Sequence, residues 1–196
     1  MELLSIASGS SGNCYYIGNE ETHLLVDAGV SGKKIETALN EIDRKPSDLN
    51  GILVTHEHID HVKGLGVMAR KHGIPIYTTG GTISEIKKMS SVGTIDDSLF
   101  HEIEPDEPFF INDLSIDASA IWHDAADPVC YSISDGKSKF SIATDMGNFD
   151  DYVVNKLKNS DIMVIEANHD IRMLQAGPYP YYLKQRILGN RGHLSN

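Results

Sequence analysis

Short apolar runs separated by polar turns mark the first part of the chain. Residues 3–8, 14–17 and 22–26 are such runs, and glycine, serine and asparagine dominate residues 9–13 and 18–19 between them. These compositions favour strands and tight turns respectively. The pattern predicts three antiparallel strands that form a meander. The turn 9–13 lacks the Lys-Ser/Thr ending of a phosphate-binding loop, so we interpret it as a turn and not as an anion site.

Helical spacing of apolar residues begins after this meander. Residues 31–42 carry Ile35, Leu39 and Ile42 three or four positions apart, with Ser31 available as an N-cap. The same reasoning predicts helices over residues 61–72, 82–89, 152–157 and 181–188. Short apolar runs between them predict strands over residues 52–54, 74–77, 115–121, 129–134, 140–143 and 162–165.

Strands that come first as hairpins and then alternate with helices favour two sheets covered by helices on their outer faces. The predicted fold class is therefore α/β, as an αββα sandwich. No internal repeat or low-complexity linker interrupts the sequence, so residues 1–196 are predicted to form one domain.

Composition narrows the classes of function. The formal net charge of −11 argues against a basic surface that coats nucleic acid. Two divalent cations, however, would return about four positive charges to a cleft, so an acidic phosphodiesterase is compatible with this charge. No segment reaches the roughly 20 apolar residues that cross a bilayer, and the N-terminus lacks a signal-peptide pattern. We expect a cytoplasmic protein with no membrane partner, and with Cys14 and Cys130 reduced.

Residues able to bind metal are concentrated after the predicted strand 52–54. They are His56, His58, Asp60 and His61. Two histidines at positions i and i+2 of an extended segment can point to one side. Asp60 and His61 open the helix that follows and can point to a neighbouring position. Four such residues in six positions predict ligands for two adjacent ions.

Two more candidate ligands also follow predicted strands. His123 comes after the strand that ends near residue 121, and Asp145 after the one that ends at residue 143. Each would be unremarkable alone, but together with the cluster at residues 56–61 they are predicted ligands. The two oxygens of Asp145 could bridge both ions.

Residues 55–61, Thr-His-Glu-His-Ile-Asp-His, resemble the His-x-His-x-Asp-His signature of the metallo-β-lactamase superfamily. Residues 24–29, Leu-Leu-Val-Asp-Ala-Gly, resemble its first motif, whose aspartate supports the metal-binding loops, and His123 and Asp145 resemble its third and fourth. Four further segments are similar to the bacterial YycJ/WalJ branch, which is related to tRNA 3′-processing nucleases: residues 8–13, 123–128, 166–170 and 191–196.

This resemblance implies a metallo-β-lactamase fold and a hydrolase with two divalent ions, zinc or manganese. The implied ligands divide into His56, His58 and His123 on one ion and Asp60 and His61 on the other, with Asp145 bridging. The resemblance also implies a nucleic acid substrate, with 5′-to-3′ exonuclease action on DNA favoured over action on RNA. The oligomeric state is not predicted.

Three residues have catalytic roles in this hypothesis. Asp60 would orient the attacking water or accept its proton. His193, poised by Glu166, would donate a proton to the leaving oxygen or hold the phosphate, as the counterpart of a Gly-His-Ser segment in the tRNA-processing relatives. Lys184, Arg186 and Arg191 form a basic tract beside His193, either as a solvated helix face or as phosphate contacts. Trp122 is expected to pack rather than to stack on a base.

The C-terminal end departs from the superfamily pattern. The last metal ligand of the family, a histidine that follows another strand, has no counterpart here. Leu194, Ser195 and Asn196 offer helix-cap residues without a following helix. We therefore expect a C-terminal strand and helix to be absent and the second metal to be short of one ligand, with His193 or His169 as the alternative source.

Two rival functions remain at this stage. One is a small-molecule metallohydrolase of the same fold that acts on a thioester or lactone, because the metal cluster is common to both. The other is a non-catalytic truncated fragment. The Glu166 and His193 pairing favours the phosphodiesterase.

Overall fold

The computed structural model describes residues 1–196 as two sheets with helices on their outer faces. The first sheet has the strand order β1 to β6: β1 Glu2–Ala7, β2 Cys14–Gly18, β3 His23–Val26, β4 Gly51–Leu53, β5 Ile76–Thr78 and β6 Phe100–Glu102. The second sheet comprises β7 Phe109–Ile111, β8 Leu114–Ala120, β9 Val129–Ser134, β10 Lys139–Ala143 and β11 Ile162–Ile165.

Both sheets are mixed. The predicted meander is confirmed, since β1, β2 and β3 pair antiparallel, and β3 to β6 then pair in parallel. In the second sheet β7 to β10 are antiparallel and β11 joins β10 in parallel. The seven helices are α1 Gly32–Glu41, α2 Ile59–Val62, α3 Leu65–His72, α4 Gly80–Lys88, α5 Asp151–Leu157, α6 Ile171–Ala176 and α7 Tyr181–Leu188.

Successive side chains of a strand point to opposite faces of its sheet, and they pack into three separate hydrophobic cores. In β2, Tyr15 and Ile17 pack between the two sheets, whereas Tyr16 points to the helices outside the first sheet. On the outer face of the second sheet, Cys130 and Val153 pack in a smaller core with α5. Burial of alternate faces by helices and by the other sheet is the layering of an αββα sandwich, so the predicted fold class is confirmed.

One predicted helix is divided in the structure. The segment 61–72 was predicted as a single helix, but helix begins at Ile59 and is interrupted at Lys63 and Gly64. The amide of Gly64 donates to the Ala28 carbonyl at 2.7 Å, and a Cβ at Gly64 would lie 2.2 Å from the Val30 carbonyl oxygen. This close backbone contact with the segment after β3 ends α2 and holds its ligand residues beside that segment.

Three elements were not predicted: β6, β7 and α6, of three, three and six residues. Segments of this length show too little periodicity to be recognised. Both cysteines are free and buried, in line with the expectation of reduced thiols. Among the seven helices, none combines the length and apolar character that a bilayer crossing requires. Cytoplasmic location stays a prediction.

Candidate metal centre

Loops at one edge of the sandwich carry the predicted site residues. His56 and His58 follow β4, while Asp60 and His61 lie in the first turn of α2. His123 comes after β8 in the second sheet. Asp145 and Glu166 follow β10 and β11, whose parallel pairing brings their ends together. The arrangement therefore brings residues far apart in sequence to one place.

Three imidazole nitrogens converge in the first part of the site. His58 Nδ1 lies 3.1 Å from His56 Nε2 and 3.2 Å from His123 Nε2. Ligand atoms around a tetrahedral zinc ion are about 3.3 Å apart, given Zn–N bonds near 2.05 Å. The observed spacing fits this value, so the three side chains can hold one divalent cation.

The hydrogen bonds on the far side of these rings set their tautomers. Thr55 Oγ1 lies 2.9 Å from Asp27 Oδ2, to which it donates, and is therefore an acceptor for His56 Nδ1 at 3.0 Å. His123 Nδ1 donates to the Gly192 carbonyl at 3.2 Å. Both rings then present an unprotonated Nε2 to the centre. Burial lowers the pKa of both His56 and His123, which favours these neutral rings.

A second cluster forms around His61. Its Nδ1 lies 2.8 Å from Asp27 Oδ2, and its Nε2 lies 3.0 Å from Asn13 Nδ2. The same Nε2 approaches Asp145 Oδ2 at 2.5 Å without hydrogen-bond geometry, so this buried carboxylate oxygen has no hydrogen-bond partner. Asp60 Oδ2 lies farther away, 3.8 Å from His61 Nε2. A buried, unpartnered carboxylate oxygen and a ring nitrogen are ligand types that a divalent cation binds, but at 2.5 Å they lie closer together than the roughly 3.3 Å between the ligand atoms of one zinc ion, so a cation here would move them apart.

The charges of this cluster also favour a cation. Burial disfavours a charged ring, yet Asp27 and Asp145 outweigh it and raise the pKa of His61 to about 10. For Asp145, burial favours the neutral acid, but contacts with His193 and His61 hold the pKa of the carboxyl far below its usual range. The carboxylates thus demand positive charge here, which a divalent ion would supply.

Both aspartates that contact His61 have left-handed backbones. The φ angle is 61° at Asp27 and 55° at Asp145, each just after a strand. Aspartate tolerates this region better than most residues. The turn directs each carboxylate sideways into the site instead of continuing the strand.

A hydrogen-bonded pair borders the second cluster. Glu166 Oε1 lies 2.6 Å from His193 Nδ1, which also faces Asp145 Oδ1 at 3.2 Å. Glu166 Oε2 accepts from the backbone amides of Met146 and Leu194, both at 3.0 Å. Burial works against the charged ring, but Asp145 and Glu166 outweigh it and raise the pKa of His193 to about 9. A ring with this pKa carries a proton at neutral pH.

The clusters open onto a cleft of about 410 Å³. Ser8, Asn13 and Arg186 are among the residues that line it. Arg186 binds the carboxylate of Asp124 through Nε and Nη2, at 2.5 and 3.0 Å. Of the predicted basic tract, Arg186 therefore reaches the cleft, whereas Lys184 is held by the carbonyls of Gln175 and Gly177.

The structure thus brings nearly all predicted site residues into three overlapping groups: His56, His58 and His123; His56, His61 and Asp145; and Asp145, Glu166 and His193. Asp60 borders the second group, and His169 belongs to none of them. Sequence reasoning missed the roles of Asn13 and Thr55. Asn13 ends a turn-like motif and Thr55 begins the histidine motif, so only adjacency pointed to them. The missing C-terminal ligand stays a prediction.

Known proteins resemble the chain along most of its length. Residues 22–195 match the family described as Beta-lactamase superfamily domain. The chain is 44% identical over 191 residues to Exodeoxyribonuclease WalJ of Streptococcus pneumoniae, which covers 97% of this chain and 71% of that protein. It is 38% identical to Exodeoxyribonuclease YycJ of Bacillus anthracis, covering 97% of this chain and 72% of that protein.

Solved structures share the fold at low sequence identity. The metallo-beta-lactamase fold protein YhfI from Bacillus subtilis superimposes with a TM-score of 0.69 at 18% identity, over 85% of this chain and 72% of that one. Zn(2+)-bound PqqB from Methylobacterium extorquens gives 0.71 at 16% identity, over 93% and 68%. With the family match over residues 22–195 and the histidine motif at the edge of an αββα sandwich, the chain belongs to the metallo-β-lactamase superfamily.

Proposed function

We propose that the chain is a metal-dependent phosphodiesterase that acts as an exonuclease on DNA. Two of its relatives are named exodeoxyribonucleases and match 97% of the chain. The observation that carries the proposal is the contact of Glu166 with His193 beside Asp145, at 2.6 and 3.2 Å. This pair places a proton donor next to the metal ligands, where the leaving oxygen of a phosphodiester would need it.

Two divalent ions are part of this proposal. The three converging imidazoles would hold one ion, and nitrogen ligands suit zinc. Asp60 and His61 would hold the other with Asp145 between the two, and this carboxylate-rich set also suits manganese. Such ions lower the pKa of water and bind the oxygens of a phosphodiester.

The residues of the chain then have separate tasks. Asp60, at the edge of the cleft, orients the attacking water. His193 donates a proton to the departing oxygen, and Glu166 keeps the ring charged and oriented. Arg186, also in the cleft, is held by Asp124 through Nε and Nη2, which leaves Nη1 to contact a phosphate of the bound strand. The bound metal ions, His193 and Arg186 would offset locally the repulsion between DNA and a chain of net charge −11.

End-labelled substrates test the proposal. The protein loaded with Zn²⁺ or Mn²⁺ is incubated with DNA and RNA, single- and double-stranded, labelled at the 5′ or the 3′ end. Release of mononucleotides from 5′-labelled DNA, lost on addition of a chelator, is the expected result. Turnover of a thioester or lactone without any cleavage of nucleic acid would instead favour a small-molecule hydrolase. Absence of bound metal would favour a non-catalytic chain.

A further inference from the structure

Trp122 is unusually exposed for the only tryptophan of the chain. Its side chain is 45% exposed, contrary to the expectation that it packs. The backbone beneath it is fixed, because its carbonyl accepts from the Gly147 amide at 2.8 Å and the residue forms a bridge with Asn148. A rigid backbone thus presents an aromatic face to solvent, directly before the candidate ligand His123.

The indole borders a groove of about 360 Å³. Its walls mix apolar and polar surface: Ala125 and Pro128 are apolar, while Tyr152 and Arg191 add an aromatic ring and a cation. Asp127 is the acidic residue of the groove, and it is half-buried against α4, where its carbonyl accepts from Thr79 Oγ1 at 2.8 Å. The groove therefore combines the exposed indole with the exposed guanidinium of Arg191.

The groove and the metal cleft share a wall. His123 lines both, and it adjoins Trp122 in the groove. On the other segment, Arg191 lines the groove and His193 lines the cleft. The hydrogen bond from His123 Nδ1 to the Gly192 carbonyl joins the two segments. A nucleic acid strand bound in the cleft would therefore also reach the neighbouring groove.

Arg191 is the cation of this region without an internal partner. Arg186 is held by Asp124, and Lys156 by Asp106 and Asp117. The exposed guanidinium of Arg191 makes no ion pair with the protein. A solvated cation next to an aromatic face is the combination that binds single-stranded nucleic acid, since bases stack on the ring and phosphates meet the charge.

We propose that this groove is a binding subsite for one unpaired nucleobase of the substrate strand. The base stacks on the Trp122 indole, and the adjacent phosphate contacts Arg191. Stacking of this kind is independent of base identity, so the subsite would hold a strand in place without reading its sequence. The inference rests on the proposed nuclease function, because it assumes a nucleic acid in the cleft.

Tryptophan fluorescence tests the stacking directly, because Trp122 is the sole indole. The metal-loaded protein is titrated with short single-stranded phosphorothioate DNA, which resists cleavage. Saturable quenching is expected, and little quenching with a blunt duplex of the same length. Unchanged emission at saturation, with binding shown by the anisotropy of labelled DNA, would overturn the proposal.

Variants measure the contribution of each residue. Trp122→Ala is expected to weaken binding of labelled single-stranded DNA roughly tenfold, and Trp122→Phe to restore part of the loss. Phe110→Ala is the matched control, since Phe110 is 71% exposed on β7 and lies outside the groove. Metal content is measured in each variant, so that a disturbed His123 is recognised. If Trp122→Ala does not fold, Trp122→Phe and the wild-type titration still decide.

Salt dependence tests the phosphate contact. Arg191→Gln is expected to lower the slope of log affinity against log salt by about 0.7, the value for one phosphate of a single strand. Lys137→Gln, in the turn between β9 and β10, is the control and should leave the slope unchanged. An unchanged slope for Arg191→Gln would remove the arginine from the subsite.

These results separate the two proposals. Normal exonuclease activity with no response of Trp122 to DNA would reject the subsite and leave the nuclease function intact. Quenching by DNA with no cleavage under any metal would reject the nuclease function and leave a DNA-binding groove.

Discussion

Asp27 Oδ2 accepts a hydrogen bond from His61 Nδ1 at 2.8 Å, and both side chains are fully buried. The same carboxylate accepts from Thr55 Oγ1, which contacts His56 Nδ1. One aspartate at the end of β3 therefore orients a histidine in each of the two clusters. Because the tautomer of each ring decides whether Nε2 can bind a cation, Asp27 controls both clusters without touching either centre.

Asp27→Asn tests this control. Its amide would donate to His61 Nδ1, which forces the proton to Nε2 and removes that atom as a ligand. Asparagine also tolerates the left-handed backbone, so the loop is retained. Metal affinity is expected to fall about 10- to 100-fold, measured by competition with a chromophoric chelator.

Asp113→Asn is the matched control for this variant. Asp113 accepts from Thr22 Oγ1 at 2.6 Å but lies in the turn between β7 and β8, outside the site. Its metal affinity should equal that of the wild type. Equal affinities for all three proteins would contradict the role given to Asp27.

His58→Ala is expected to reduce hydrolysis to background. His58 Nδ1 is the atom to which both other imidazoles of the first cluster are closest, so its loss leaves two nitrogen ligands where zinc sites use three or four. Bound metal is measured by elemental analysis alongside activity on DNA. His101→Ala, an exposed histidine that stacks on Tyr77, should retain both. Full activity of His58→Ala would refute the metal assignment.

His193→Gln should lower kcat about 10²- to 10⁴-fold, the usual contribution of a positioned proton donor. Metal content should stay unchanged, because this residue is assigned to proton transfer and not to metal binding. Retention of wild-type kcat would exclude His193 as the acid.

Glu166→Gln tests the same role through pH dependence. Glu166 helps to raise the pKa of His193 to about 9, so the charged donor persists up to that pH. Removal of this negative charge lowers the pKa, and the alkaline limb of the kcat profile should move to lower pH. The stability that the pair contributes is present below the unfolded pKa of histidine and lost as pH rises through about 9. If the alkaline limbs of the variant and the wild type were identical, Glu166 would not act on catalysis through the pKa of His193.

Much of the fold could be predicted because its signals are local. The meander, the first helix and the last five predicted elements rest on short apolar runs or helical spacing, and their bounds agree with the structure within one residue. The interruption at Gly64 could not be predicted, because it depends on the carbonyls of Ala28 and Val30 from a distant loop.

The candidate site divides in the same way. His56 and His58 share a short motif, whereas Asn13 reaches His61 across 48 positions of sequence. A turn signal at residues 9–13 was interpreted as a turn, and the structure shows that turn, with the Gly9 amide donating to Asn13 Oδ1 at 2.9 Å. The contact of the Asn13 side chain with His61 exists only because the folded chain places the turn before β2 beside α2, where the Asn13 amide donates to the Asp60 carbonyl.

Gly29→Ala addresses the packing that makes this contact possible. A Cβ at Gly29 would lie 1.6 Å from the Asp60 carbonyl oxygen and 2.7 Å from the Asn13 amide nitrogen. Both neighbours are backbone atoms joined by a 2.7 Å hydrogen bond, so neither can move without displacing the other. The variant should lose more than about 3 kcal/mol of unfolding free energy and most of its activity, since α2 carries Asp60 and His61.

Gly73→Ala is the control, because Gly73 is left-handed at φ 67° but no atom lies within 4 Å of a Cβ there. Urea denaturation of both variants measures the difference, and a loss at Gly29 no larger than that at Gly73 would show that the approach of the Asp60 carbonyl does not require a glycine.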